Sequence, residues 1–408
     1  MITKDLNYRC NPRRAVYVNG DIDQSLIDRL TPRILELQAD SRDPITVYID
    51  SPGGNPVLGG VLLDLLRASN QDGDLPCRII TVVTATAASA AADLLAFGDY
   101  SIASQKSTIL FHGTRLGRFA NDLTVESTSI LMRLLKGRND SYAMQLARSS
   151  AGRLAFRYII QRSFFEKFRT EHGIGLSDLD CFSGLLSKHL SPEGHKVFEQ
   201  ARAQNKRSES LLTLIEKSPL GQGKELSAEE QILAEADLLR SLIDFELESE
   251  KADSWTFKEV GLSQLTDDFY LLLETVSRRS DEHVAELCEV WFPYFLNNRD
   301  EFAAYEKLTP TERRNWILEK IGPQLQPLWI LSVAICQTLQ SGENELRATD
   351  AYWLGLIDEI SGGDLPSLRL LMEYSADQEP ADVAPSEPIS AAAARETDSP
   401  YSEQQNEQ

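Results

Sequence analysis

Two rhythms of apolar residues organise the first third of the chain. Short runs rich in β-branched residues, 15–18 (Ala-Val-Tyr-Val), 45–50 (Ile-Thr-Val-Tyr-Ile-Asp) and 78–84, predict strands. Between them apolar residues return every three or four positions. Leu26, Ile27, Leu30, Ile34 and Leu37 share one helical face, with Asp21 or Asp23 available as N-cap. Val61, Leu62, Leu65 and Leu66 mark a second helix after the turn Ser51-Pro52-Gly53-Gly54. A short helix is predicted over 89–97, closed by Gly98, followed by strands over 100–103 and 107–111. Strand–helix alternation of this kind favours a mostly parallel sheet and the α/β class.

From about residue 121 the pattern becomes helical. One long helix runs through about Leu146. Beyond it, amphipathic sets recur around Leu211–Ile215, Ile232–Leu239, Phe269–Leu273, Trp291–Phe295 and Trp316–Ile321, with apolar faces able to build a small core of their own. The aromatic set at 291–295 reads as core. Leu226-Ser227-Ala228-Glu229-Glu230 reads as a capping box opening a helix. From Ala376 onward large apolar residues almost vanish and eight acidic residues face one basic residue. Such a segment buries too little surface to order itself, which predicts a flexible acidic tail over 376–408.

Composition narrows the class further. Apolar residues make up 42% and charged residues 25%, a globular mix. The formal net charge of −21 argues against nucleic-acid binding. No apolar run approaches the roughly 20 residues needed to span a bilayer, so no membrane partner is expected. The five cysteines are widely spaced without a CxxC pair, which fits a reducing, cytoplasmic setting. No metal, nucleotide or coenzyme A signature is present, so no cofactor is expected.

Three loop features can carry chemistry. Gly53 and Gly54 follow a strand and can present backbone N–H groups to an anion or oxyanion. Ser89 opens a helix among alanines, with its hydroxyl unobstructed; read alone, it is an N-cap. His112 ends a strand; the other four histidines (His172, His189, His195, His283) fall in the helical middle among polar residues, and most read as solvated. In combination, a glycine turn, a helix-start serine and a strand-end histidine are the parts of acyl transfer by serine.

These residues resemble the Clp protease proteolytic subunit (ClpP) family. ITVYIDSPGGNPVLGG (45–60) resembles its strand and glycine turn, AASAAADLLAFG (87–98) its nucleophile helix, STILFH (107–112) its histidine strand, and VNGDID (18–23) its first strand and turn. RATDAYWLGLIDEI (347–360) is similar to its final unit, and 121–146 to its handle helix. The resemblance implies a ClpP/crotonase-type spiral of β-β-α units, with Ser89 as nucleophile and His112 as general base. The amides of Gly53, Gly54 and Ala90 become oxyanion-hole candidates. Counting back from the final unit places the acid at Glu343, with Glu345 close by. Ala85 stands where the family usually has glycine. The resemblance covers about 1–148 and 340–375, leaving 149–339 as a helical insertion packed outside the core.

The leading function is a serine peptidase with a peptide or protein substrate. The family also implies a homo-oligomer of stacked rings. Few residues precede the first strand, so the family's axial loops read as short and a Clp-type ATPase partner is uncertain. Two alternatives stand beside this reading. A crotonase-type acyl-CoA enzyme shares the spiral and the Gly-Leu-Ile-Asp ending but does not need Ser89 or His112. A catalytically silent assembly module would keep the fold alone.

Overall fold

The computed structural model describes residues 9–68, 76–115, 125–220, 226–249, 282–295 and 299–367. The predicted acidic tail and the apolar set at 269–273 lie outside these residues. A seven-stranded sheet forms the centre. Its main path runs β1 (Ala15–Asn19), β2 (Ile45–Ser51), β3 (Ile79–Ala88), β4 (Tyr100–Ser104) and β7 (Glu359–Ser361), all parallel. Helices α1 (Gln24–Asp40), α2 (Pro56–Leu66) and α3 (Ala90–Ala96) connect the first four. Buried on both faces, the central strands carry near-continuous apolar runs rather than strict alternation. In α1 the buried stripe is the predicted one, and Asp23 caps it by accepting from the Leu26 N–H.

β3 forks the sheet. Its first half pairs with β4 (Ile80–Val83 with Tyr100–Ala103), its second half with β5 (Thr108–His112) through Thr86–Ala88. It therefore continues past the expected strand end at residue 84, through the small residues 85–88. β5 in turn pairs antiparallel with β6 (Glu343–Arg347). The sequence reading contained neither β6 nor β7. Glu-Asn-Glu-Leu-Arg has no strand signature of its own and becomes a strand by completing the β5 ladder.

The long helix α4 runs Val125–Gln161, well past the expected end near 146. Its second half belongs to the core. Arg153, only 4% exposed, places Nε 2.8 Å from Asp358 Oδ2. It also donates to the carbonyls of Ala96, Gly98 and Leu356 and to Ser101 Oγ. Asp358 accepts a further bond from the Ser101 N–H. A buried ion pair is tolerable only when every donor and lone pair is met in this way. Residue 148 thus falls inside a continuous helix.

Helices α5 (Phe165–His172), α6 (Asp178–His189), α7 (Pro192–Lys217) and α8 (Ala228–Ser249) follow. After them come α9 (282–291), α10 (Arg299–Glu306), α11 (Pro310–Leu339) and, beyond β6, α12 (Ala348–Trp353). The capping box at Ser227 and Glu230 is present. Many buried residues of this helical part, Phe182, Phe198, Trp291 and Trp329 among them, join the same hydrophobic cluster as Val47 and Ile80 of the sheet. Asp350, fully buried in α12, fastens the two parts together. It accepts from the Ser191 N–H and hydroxyl at the start of α7 and from the Arg347 N–H. One histidine read as solvated is not: His283 is buried beside Trp329. His189 stacks on Trp353 at 4.3 Å and stays exposed.

Candidate active site

Ser51 shapes the glycine turn at the end of β2. Its hydroxyl donates to the Gly20 carbonyl (2.6 Å) and accepts from the Gly53 N–H (3.0 Å). The Ile22 N–H donates to the Gly53 carbonyl (2.7 Å) and the Asn55 N–H to the Ile22 carbonyl (2.9 Å), which bolts the turn to the loop after β1. Gly53 has φ +95°, and a Cβ there would stand 2.6 Å from Ser89 Cβ and 2.4 Å from the Ala88 carbonyl oxygen. Only glycine satisfies both the dihedral and the approach.

Ser89 joins β3 to α3 with φ 55° and ψ −128°. It is the one non-glycine residue at positive φ among the described residues. Such a conformation costs about 1–3 kcal/mol and persists where its surroundings over-determine it. Here the Ser89 N–H donates to the Leu110 carbonyl (2.7 Å), and the Ser89 carbonyl accepts from the Ala92 and Asp93 N–H groups. The side chain makes no capping bond, so Ser89 holds the N-cap position without the N-cap function. Ala85 lies exposed within β3 outside the positive-φ region, so the family's glycine is not required there.

The strand registers gather the other candidates. Ala88 pairs with Leu110, two residues before His112 on the same face of β5. His112 lies opposite Glu343 in the β5–β6 ladder, and Glu345 lies opposite Leu110. On the other face Phe111, Asn344 and Leu346 are buried. Directly opposed residues in an antiparallel pair have Cβ atoms about 4.5–5.5 Å apart, so Glu343 is the nearer of the two acids to His112. Its carboxylate, 69% exposed, is held by Arg115. His112 Nδ1 lies 2.7 Å from the Gly113 carbonyl oxygen. No hydrogen bond joins His112 to Ser89 or Glu343 among the described residues.

Of the three expected oxyanion donors, Gly53 gives its N–H to Ser51 Oγ. The Gly54 and Ala90 N–H groups donate to nothing among the described residues. No group of side chains among those residues could hold a metal ion. A surface hollow of about 430 Å³ lined by Tyr17, Asn19, Arg29 and Arg33 contains none of the candidate catalytic residues.

The sequence reading missed the polar residues behind the site. Asp93, one turn into α3, accepts from Gln340 Nε2 at 2.9 Å, and burial pushes its carboxyl up to about 7. A lone aspartate within Ala-Ala-Ala-Asp-Leu-Leu-Ala was a visible signal. Gln340 and Asn139 sit in ordinary polar contexts and offered none.

The fold is α/β and ClpP-type, with a helical extension. Residues 2–144 match the family model described as Clp protease, and over that segment the chain is ClpP-like. It is 29% identical over 133 residues to ATP-dependent Clp protease proteolytic subunit 2 of Prochlorococcus marinus (strain MIT 9312), covering 31% of this chain and 63% of that protein. Subunit 3 of Synechococcus sp. (strain CC9605) is also 29% identical over 133 residues, with 31% and 64% covered. Subunit 3 of Rhodococcus jostii (strain RHA1) is 28% identical over 137 residues, with 31% and 65% covered. The chain thus spans a little under two thirds of the length of these curated relatives. Among the described residues no helix is long and apolar enough to cross a membrane.

Proposed function

We propose that the chain is a serine peptidase that cleaves peptide bonds through an acyl-enzyme. Ser89 Oγ attacks the scissile carbonyl while His112 Nε2 takes its proton. The Gly54 and Ala90 N–H groups receive the oxyanion as the tetrahedral intermediate forms. His112 returns the proton to the leaving amine, and water then repeats the sequence on the ester. Glu343, opposite His112, is the acid nearest the imidazole in this reading; paired with Arg115, it adds charge near the ring rather than the bond to Nδ1. The observation that carries the proposal is Ser89 itself. A strained serine whose hydroxyl caps nothing, wedged against Gly53, is arranged for reaction rather than for stability.

The same reading takes a peptide or protein as substrate and the active form as a cytoplasmic homo-oligomer, and it treats 149–339 as an insertion into the Clp-type unit. A fluorophosphonate probe tests the chemistry. Wild type should label and Ser89→Ala should not. Equal labelling of both removes Ser89 as nucleophile, while an unlabelled wild type favours the acyl-CoA or silent alternatives.

A further inference from the structure

The Gly113–Thr114 peptide unit stands between His112 and helix α4. A peptide is planar, so fixing its N–H fixes its carbonyl. The carbonyl, from Gly113, lies 2.7 Å from His112 Nδ1. A carbonyl can only accept, so this contact requires the proton on Nδ1 and leaves the Nε2 lone pair to act as base. The N–H, from Thr114, donates to Asn139 Oδ1 at 2.8 Å. Asn139 Nδ2 in turn donates to the Gln340 carbonyl oxygen at 3.2 Å. Gln340 is 3% exposed, and its N–H and side-chain amide donate to the Cys336 carbonyl and Asp93. The chain of bonds closes on α3, the helix that Ser89 opens. The fit around Gly113 is close. A Cβ there would stand 2.5 Å from the Gln340 carbonyl oxygen and 2.7 Å from Asn139 Nδ2.

We infer that Asn139 is a positioning residue for His112. Acting through the Gly113–Thr114 peptide and anchored on Gln340, it holds the imidazole in the Nδ1–H tautomer with Nε2 available to Ser89. A backbone carbonyl thereby does the orienting usually given to the acid of a triad, while Arg115 engages Glu343. The handle-like helix α4 and the C-cap residue of α11 both reach His112 by this route. The inference rests on the serine-peptidase reading for its catalytic meaning, but the tautomer itself does not depend on that reading.

Two readouts test it on the full-length protein. The first is fluorophosphonate inactivation, separated into maximal rate and half-saturation. Removing the orientation of a general base should cost about 10²-fold in maximal rate for Asn139→Leu, with half-saturation unchanged. Asn139→Asp keeps the Oδ1 acceptor for Thr114 but sets two acceptor oxygens against each other at Gln340, so it should recover only part of that loss. Glu343→Gln should cost less than about tenfold, whereas a loss on the order of 10⁴-fold would give the orienting role to the carboxylate and overturn the inference. The second readout is the ring-nitrogen shifts of ¹⁵N-histidine-labelled protein, with His112 assigned by substitution. Wild type should show Nδ1–H, and Asn139→Leu should lose it. If Asn139→Leu fails to fold, Gly113→Ala presses on the same clamp and should give the same loss. An Nε2–H tautomer in wild type, or variants unchanged in both readouts, overturns the inference. If the probe never labels wild type, the peptidase reading fails and the tautomer alone decides.

Discussion

Asp93 gives the most quantitative prediction. Its carboxyl lies one turn along α3 and is raised from 3.8 to about 7 by burial, against the lowering effect of its bond from Gln340. A rise of about three units corresponds to at most about 4 kcal/mol. Below about pH 4 both folded and unfolded chains carry a neutral Asp93, so stability is full. Between about pH 4 and 7 the unfolded chain ionises first, and stability falls as pH rises, by about 1.4 kcal/mol per unit. Above about pH 7 both states are ionised and the deficit is constant. Asp93→Asn keeps an acceptor for Gln340 but never ionises. It should match wild type near pH 4 and exceed it by up to about 4 kcal/mol at pH 8–9. With an unfolding entropy of about 2.1 cal/mol/K per residue, that is a Tm difference on the order of 5 °C for cooperative unfolding of the chain. Thermal and urea unfolding at pH 4.5, 6, 7.5 and 9 measure it. A difference that stays flat across pH, or a variant less stable than wild type at pH 9, would refute the reasoning.

Three further outcomes follow from the fold. Asp358→Ala strips the partner from buried Arg153 and should cost about 3–5 kcal/mol in urea unfolding. Asp350→Ala leaves the Ser191 and Arg347 N–H groups unmet and should cost about 2 kcal/mol or more, with proteolysis near residue 191 accelerated as α7 loosens. Gly53→Ala should reduce probe labelling to the level of Ser89→Ala while leaving most helical circular dichroism in place, because the added methyl collides with Ser89 itself. Labelling at the wild-type rate would show that the turn and the serine are less tightly coupled than their geometry requires.

The sequence alone determined the alternating strands and helices over 15–112 and the glycine turn, and singled out Ser89 and His112 as candidates. These are local matters: period, caps, and a glycine pair where the chain turns sharply. It also identified the capping box at Ser227. The sheet's last strands were set by pairing rather than by pattern. Glu343–Arg347 alternates exposed and buried positions only because β5 offers it a ladder. The continuation of α4 to Gln161 was settled by Arg153 meeting Asp358, 205 residues away. Tertiary structure likewise decided the backbone of Ser89, which no neighbour in sequence demands. It also engaged the Gly53 amide with the Ser51 hydroxyl. It directed the His112 Nδ1 proton to a carbonyl held by Asn139 and Gln340, residues whose side chains look ordinary in sequence. Hydrogen-bond geometry and buried charge depend on which distant groups share a cavity, and that information exists only once the chain has closed on itself.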